Sequence, residues 1–328
     1  MSRRLEGTGP IRSFFAKPYR YAAVFSLILA AVFVFMLLDA FVIPRTLQTV
    51  PQVDVLPAPS AIGQTPATGD ASGTGQPAGA EGGAQAAPVV TDTSYKDGNI
   101  EVSLETLHIY DTDVYIADVK VSSIAYLKAA FAHNAYGRNL NDKTSVIAGE
   151  QNAVLAINGD FYGFRDDGWV LRNGILYRSG GSDDALLMDT AGNLSCSGDR
   201  DLIEAEIPGL WQIWSFGPPL VVDGAVSVTK GQEIAGRSSN SNPRAALGQV
   251  GERHYLFIVS DGRTSTSAGL SLYELATLFK ERGCFVAYNL DGGGSATLYF
   301  NGRVVNRPTT NGRTIEEREV SDIVYVGY

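Results

Sequence analysis

Six short polar clusters hold most of the residues in this chain that are able to do chemistry, and each abuts an apolar run. Three come first: Asn158-Gly159-Asp160-Phe161-Tyr162 after AVLAI, Ser215-Phe216-Gly217-Pro218 ahead of LVVDG, and Asn242-Pro243-Arg244 before AALG. The others are Ser260-Asp261-Gly262-Arg263 after LFIV, Asn289-Leu290-Asp291-Gly292-Gly293-Gly294-Ser295, and Glu317-Arg318-Glu319-Val320-Ser321-Asp322 before the last apolar run. Carboxylates at such positions move protons, attack an electrophile or stabilise developing positive charge. Asp291 is the first candidate for that work and Asp261 the second. Arg244, Arg263 and Arg318 suit an anion, because the planar guanidinium bonds two oxygens at once. Gly292, Gly293 and Gly294 allow backbone N–H groups to approach an anion closely, and Ser295 and Thr297 add hydroxyl donors.

Each of these residues also has an ordinary structural reading. Asp-Gly is a turn signal; Asp223-Gly224 is read as a turn alone, and for Asp261 capping a turn stands beside the catalytic role. Three glycines after Asp291 exceed what a turn requires. Trp211 and Trp214 are expected in the core rather than stacked on a ligand. Arg303, Arg307 and Arg313 are expected at the surface, and His254 carries no functional signal.

The elements needed to position these groups follow from periodicity. Ile100, Val102 and Leu104 alternate with polar residues, and Val114 and Ile116 follow Asp111-Thr112-Asp113, which predicts two strands joined by a turn. Ser123–His133 has helical character. Residues 144–151 predict a short helix leading into the strand AVLAI. Asn173-Gly174 marks a hairpin within 171–177, and Ala191-Gly192 marks another within 185–194. Residues 255–259, 285–290, 297–300 and 320–326 read as strands. Ser271 and Glu274 make a capping box for a helix over 271–282, with Leu272, Leu275, Ala276 and Phe279 on its apolar face and Gly283 ending it. Many strands with few helices predict an α+β fold built on a mixed, mostly antiparallel sheet.

The chain has 328 residues and a net charge of −9. Arg3, Arg4, Arg12, Lys17 and Arg20 stand against Glu6 at the start, so the remainder is more acidic still. That balance argues against a general nucleic-acid partner, which needs basic surface to neutralise phosphates. Residues 21–43 form an apolar run of the ~20 residues that cross a bilayer, carrying only Asp39 near its outer end. Basic residues precede the run, which predicts a cytoplasmic tail over 1–20, an anchor over 21–43 and the rest of the chain outside. A cleaved signal peptide is the rival reading; the run exceeds the usual ~7–15-residue signal core, and no A-x-A site follows. Residues 44–94, rich in Pro, Ala and Gly, hold few large apolar side chains and are expected as a disordered tether before a domain over 95–328. Cys196 and Cys284 are compatible with a single bridge outside the cytoplasm, and neither they nor the three histidines have zinc-ligand spacing.

The ordered set of clusters resembles the phosphodiester glycosidase family over roughly residues 95–328. The pieces that carry the resemblance are NGDFY, SFGPPLVVDG, NPRAALG, VSDGR, NLDGGGSATL and the terminal ER-VSD. It implies hydrolysis of a sugar phosphodiester, releasing the sugar and leaving a phosphomonoester. Asn158 becomes a candidate for sugar hydroxyls. Asp160 stands where the family often has Gly and is the weaker candidate beside it. Arg244-Ala245-Ala246 stands where RTA is common, which keeps the Arg and loses a hydroxyl. A phosphomonoester, with a second pKa near ~6, leaves more easily than a sugar alkoxide, so clamping the phosphate with Arg matters more than a strong general acid. Three functions are therefore expected in order: a membrane-anchored hydrolase acting on phosphorylated glycans of a cell envelope, a non-catalytic binder of the same glycans, and a phosphodiesterase in which Asp261 and Asp291 hold a divalent cation.

Overall fold

A computed structural model of the chain describes residues 17–50, 87–181, 184–231 and 241–328. The chain divides into two compact units, Met1–Arg45 and Thr46–Tyr328. Among the described residues of the first lies the helix Pro18–Phe41, which starts a little before the expected span. Its segment Tyr19–Phe41 is long and apolar enough to cross a membrane, by length and composition. Residues 1–16 of the expected tail and 51–86 of the expected linker lie outside the described residues. Strands occupy both flanks of the 44–94 stretch: Arg45–Thr49, Val89–Val90 and Ser94–Lys96. The last two lie where Val89, Val90 and Tyr95 supply the apolar side chains that the middle of the stretch lacks.

Among the described residues, the second unit is built mainly from three antiparallel sheets. The largest has nine strands in the order Ala225–Val226, Pro219–Val222, Val286–Asn289, Arg244–Gly251, His254–Ser260, Thr112–Val121, Ile100–Ile109, Ser94–Lys96, Val89–Val90. The second has five, ordered Ile175–Arg178, Val170–Arg172, Leu210–Trp214, Ala185–Asp189, Leu194–Ser197. The third has Arg303–Val304, Leu298–Phe300, Leu155–Asn158, Asp322–Val326 and Leu127–Phe131. All pairings within these three sheets are antiparallel.

Burial explains the apolar patterns. Near the edge of the large sheet, Ile100 and Val102 are buried while Glu101 and Ser103 face solvent. Further in, both faces are covered. Tyr115, Ala117 and Val119 join a central core with Leu155, Trp214 and Val324 from the other two sheets. Val114 and Ile116 join a second core under the helix Leu272–Glu281. Ser271 and Glu274 form the expected capping box on that helix. Gly248 permits the close packing, because a Cβ there would stand 2.7 Å from the Phe279 ring. Cys196 and Cys284 are both free. Trp214 is fully buried, and Trp211 donates from Nε1 to the Leu127 carbonyl at 2.9 Å, so both serve the core.

One expected element is overturned. Residues 123–133 are not a helix: a 3-10 turn over Ile124–Tyr126 runs into the strand Leu127–Phe131. That strand pairs with Asp322–Val326, Phe131 lying opposite Asp322. Its alanines favour a helix locally, and long-range pairing outweighs that preference.

Candidate active site

The end of the strand Val286–Asn289 delivers Asp291 to the rim of the third sheet. Asn158, the last residue of its own strand, donates from Nδ2 to the Asp291 carbonyl at 2.7 Å and accepts from the Thr297 amide at 3.3 Å. Asn158 is fully buried, with both ends of its amide used inside the protein. It therefore ties two strand ends together rather than facing a sugar. Thr297 is likewise fully buried, and its hydroxyl has no hydrogen-bond partner there among the described residues.

The Asp291 carboxylate accepts from the Gly292 amide at 2.9 Å and from Arg318 Nη2 at 3.1 Å. Arg318 also donates from Nε to Ser295 Oγ at 2.9 Å and from Nη2 to the Gly292 carbonyl at 3.1 Å. Glu317 holds the adjoining backbone, accepting from the Ser145 amide at 2.9 Å at the start of the helix Thr144–Glu150. Burial raises the pKa of Asp291, while Arg318, the Ser295 hydroxyl and the Gly292 amide pull it down. Asp291, Arg318 and Ser295 line a cleft of about 460 Å³ together with Asp160, Phe161 and Phe164.

The glycine run after Asp291 serves packing. A Cβ on Gly292 would lie 2.6 Å from the Pro243 carbonyl, one on Gly293 would lie 2.9 Å from Arg263 Nη2, and one on Gly294 would collide with Thr310. The Gly292 amide is given to Asp291 and the Gly293 amide to the Pro243 carbonyl at 2.8 Å. Those two N–H groups of the expected backbone nest are thus committed within the protein.

Beneath the cleft lies a buried charge cluster. Arg172, only 1% exposed, donates from Nη2 to Asp160 Oδ2 and from Nε to Asp322 Oδ2, both at 2.9 Å, and its Nη2 pairs with Asp322 Oδ2 at 2.9 Å. It also bonds the Ile213 carbonyl. Asp160 accepts in addition from the Tyr162 amide at 3.1 Å and the Ser215 amide at 3.0 Å. Gly159 leaves room for this cluster, since a Cβ there would run into the Asp322 carboxylate. Burial raises Asp322 to about 7, with Arg172 opposing the shift and Asp160 adding to it. Asp160 is thus an anchored wall of the cleft.

Asp261 has a different setting. Its carboxylate accepts from Tyr115 Oη at 3.0 Å, Asn306 Nδ2 at 3.2 Å and the Arg307 amide at 2.8 Å. Burial raises its pKa, and these three bonds oppose the shift. It does not line the cleft with Asp291. Among the described residues no group of three or more His, Cys, Asp or Glu gathers. The donor set thus does not fit a divalent-cation site built on Asp261 and Asp291.

The three arginines form a graded series. Arg244 is 6% exposed, donates from Nε to the Leu270 carbonyl at 2.9 Å, and is lowered to about 10 by burial and by Arg263. Arg263 donates from Nη1 to the Thr310 carbonyl at 2.7 Å and from Nε and Nη2 to Asn242, and it feels both Arg318 and Asp291. Arg318 alone of the three lines the cleft.

Sequence reasoning named Phe161, Asp322 and the exposed, cleft-lining Glu319 only as members of their clusters, without a role, and passed over Arg172 and Phe164. No local pattern joins Arg172 to Asp322, which stands 150 positions away. The lone Arg between Leu171 and the hairpin turn Asn173-Gly174 was the one available signal.

The family model described as phosphodiester glycosidase matches residues 151–327, which include Asp160, Arg172, Asp291 and Arg318. A prophage-derived uncharacterised protein of Bacillus subtilis is 28% identical over 206 residues, covering 59% of this chain and 31% of that protein. The mouse N-acetylglucosamine-1-phosphodiester alpha-N-acetylglucosaminidase is 38% identical over 66 residues, covering 20% of this chain and 13% of the mouse protein. The chain therefore matches no more than about a third of either curated relative's length. The catalytic domain of the zebrafish N-acetylglucosamine-1-phosphodiester alpha-N-acetylglucosaminidase, solved in a form auto-inhibited by its pro-peptide, superposes with a TM-score of 0.54 at 18% identity, over 70% of this chain and 83% of that one. That likeness is one of fold.

Proposed function

The chain belongs to the phosphodiester glycosidase family, and from that premise we propose that it is a membrane-anchored hydrolase that cleaves a sugar-1-phosphodiester bond in an envelope glycan or its precursor. The observation that carries the reading is the pairing of Asp291 with Arg318 at the wall of one cleft. In the proposed reaction Arg318 clamps the phosphate, with Arg263 beside it. Water adds to the anomeric carbon as the bond from that carbon to the bridging oxygen breaks. The phosphomonoester departs with both bonding electrons. Asp291 serves the anomeric carbon, either by taking the proton of the attacking water or by stabilising the oxocarbenium-like charge. Burial raises its pKa, which supports a proton-handling role. The cleft's mixture of one guanidinium, carboxylates and aromatic rings fits a sugar phosphate better than a bare phosphate.

The same reading places the N-terminus in the cytoplasm and the folded unit outside, because the basic residues precede the apolar helix. Protease treatment of intact cells expressing the chain tests this: loss of the folded unit supports the orientation, and full protection refutes it.

The activity is tested on the full chain in detergent with N-acetylglucosamine-1-phospho-methylmannoside, following sugar and phosphomonoester by mass spectrometry. Equal release of both, abolished by Asp291→Asn, is the expected result. Binding of phosphorylated glycans without release of either product would favour a binding protein instead.

A further inference from the structure

The most conspicuous feature the reaction leaves unused is aromatic. Phe161 and Phe164 stack with ring centroids 4.5 Å apart and 15° between their planes. Both line the cleft, and Phe164 is 50% exposed. The two rings give a cleft lined mostly by polar groups its aromatic surface.

The platform is held rigidly. Tyr162, between the two rings in sequence, turns the opposite way and is 2% exposed, stacked on Tyr136 and edge-on to Phe131. Its amide is fixed by Asp160, and its carbonyl accepts from Arg178 Nη1 at 3.1 Å. Gly163 lies so close to Ser321 that a Cβ there would collide with the hydroxyl. The rings are therefore fixed relative to the segment that carries Arg318.

We propose that Phe164, backed by the stacked Phe161 ring, offers its free face as the platform on which a pyranose ring of the substrate lies flat. One face of a pyranose presents C–H bonds, which match the negative face of an aromatic ring. The ring's hydroxyls then meet the polar groups around the platform, among them Asn141 and Ser321, themselves joined at 2.8 Å. A volume of about 460 Å³ is at the small end of the ~300–1,000 Å³ typical of ligand pockets, which suits one sugar with its phosphate. The identity of that sugar as substrate rests on the hydrolase reading; the platform itself does not.

The test uses the full chain in a detergent without a sugar headgroup. Saturation-transfer NMR is run with N-acetylglucosamine, alongside turnover of N-acetylglucosamine-1-phospho-methylmannoside and inhibition by inorganic phosphate. Wild type should transfer saturation to the pyranose C–H protons. Phe164→Ala should lose that signal and raise KM about 10-fold, about 1.4 kcal/mol, with kcat changed less than about threefold. Phe164→Tyr should restore both, and phosphate inhibition should stay within about twofold in every variant, which a collapsed cleft would not allow. Unchanged sugar transfer and KM in Phe164→Ala overturn the platform, as does absence of transfer in wild type. Octyl phosphate binding that depends on Phe164 while sugar binding does not also overturns it. Sugar transfer that depends on Phe164 without any turnover keeps the platform and rejects the hydrolase reading instead.

Discussion

Arg318 Nη2 lies 3.1 Å from Asp291 Oδ2, so the cation that would receive a phosphate is already bonded to the carboxylate that would serve the sugar. The Arg318 side chain is 39% exposed and that of Asp291 13%. A phosphate entering the cleft can therefore reach the guanidinium from the solvent side, while the acid stays largely shielded from water. Binding of substrate and adjustment of the acid's protonation are linked through one nitrogen.

Asp291→Asn keeps the shape of the side chain and its contact with the Gly292 amide while removing the charge. The expected loss is about 10³-fold in kcat, within the range for an acid–base group, with KM changed little. Steady-state kinetics together with an unchanged circular dichroism spectrum check this. A variant retaining more than about a tenth of wild-type kcat removes Asp291 from the chemistry.

Arg318→Lys retains the positive charge but cannot reach Ser295, Gly292 and Asp291 together as the guanidinium does. We expect kcat/KM to fall about 100-fold, equivalent to about 2.7 kcal/mol of transition-state stabilisation. Near-normal kcat/KM in the lysine variant would show that a point charge suffices.

Asp261→Ala leaves Tyr115, Asn306 and the Arg307 amide without their acceptor. Stability should drop by about 2–3 kcal/mol, read from urea denaturation, because buried donors are left unsatisfied. The kcat of the folded fraction should stay within about threefold of wild type. A large loss of kcat at unchanged stability would return Asp261 to the active site.

Asp322 titrates well above the ordinary carboxylate range, at about 7, because it is buried. A carboxyl whose pKa is raised on folding contributes most below its unfolded pKa, and that contribution is lost as pH rises through the folded value. Asp322→Asn mimics the protonated acid and removes the titration. The difference in Tm, wild type minus variant, should therefore decline from about pH 4 to about pH 7 and level off above. A difference constant across that range rules out the shift.

Local signals read well wherever neighbours a few residues apart decide the outcome. Ser271 and Glu274 cap their helix as expected, and the turns at Asn173-Gly174 and Ala191-Gly192 join the strands on either side of them. The apolar helix near the N-terminus follows from length and composition. Residues 123–133 failed because the partner that makes Leu127–Phe131 a strand is Asp322–Val326, far along the chain. Asn158 and Thr297 were placed at the right end of the sheet but on the wrong side of its surface, since their burial is a property of the assembled strands.

The clearest division is between Asp261 and Asp291. Both end an apolar strand and precede glycine, and by sequence alone each was a carboxylate at a strand end with an arginine candidate to serve it. That much the chain determines by itself, because strand ends and turns depend on adjacent residues. Only the tertiary structure separates the two. It surrounds one carboxylate with Tyr115, Asn306 and Arg307, and it sets the other at a cleft beside Arg318. It also buries Arg172 between Asp160 and Asp322. The reason is physical: desolvation, charge pairing and access to a cleft are set by groups distant in sequence that folding brings within about 3 Å.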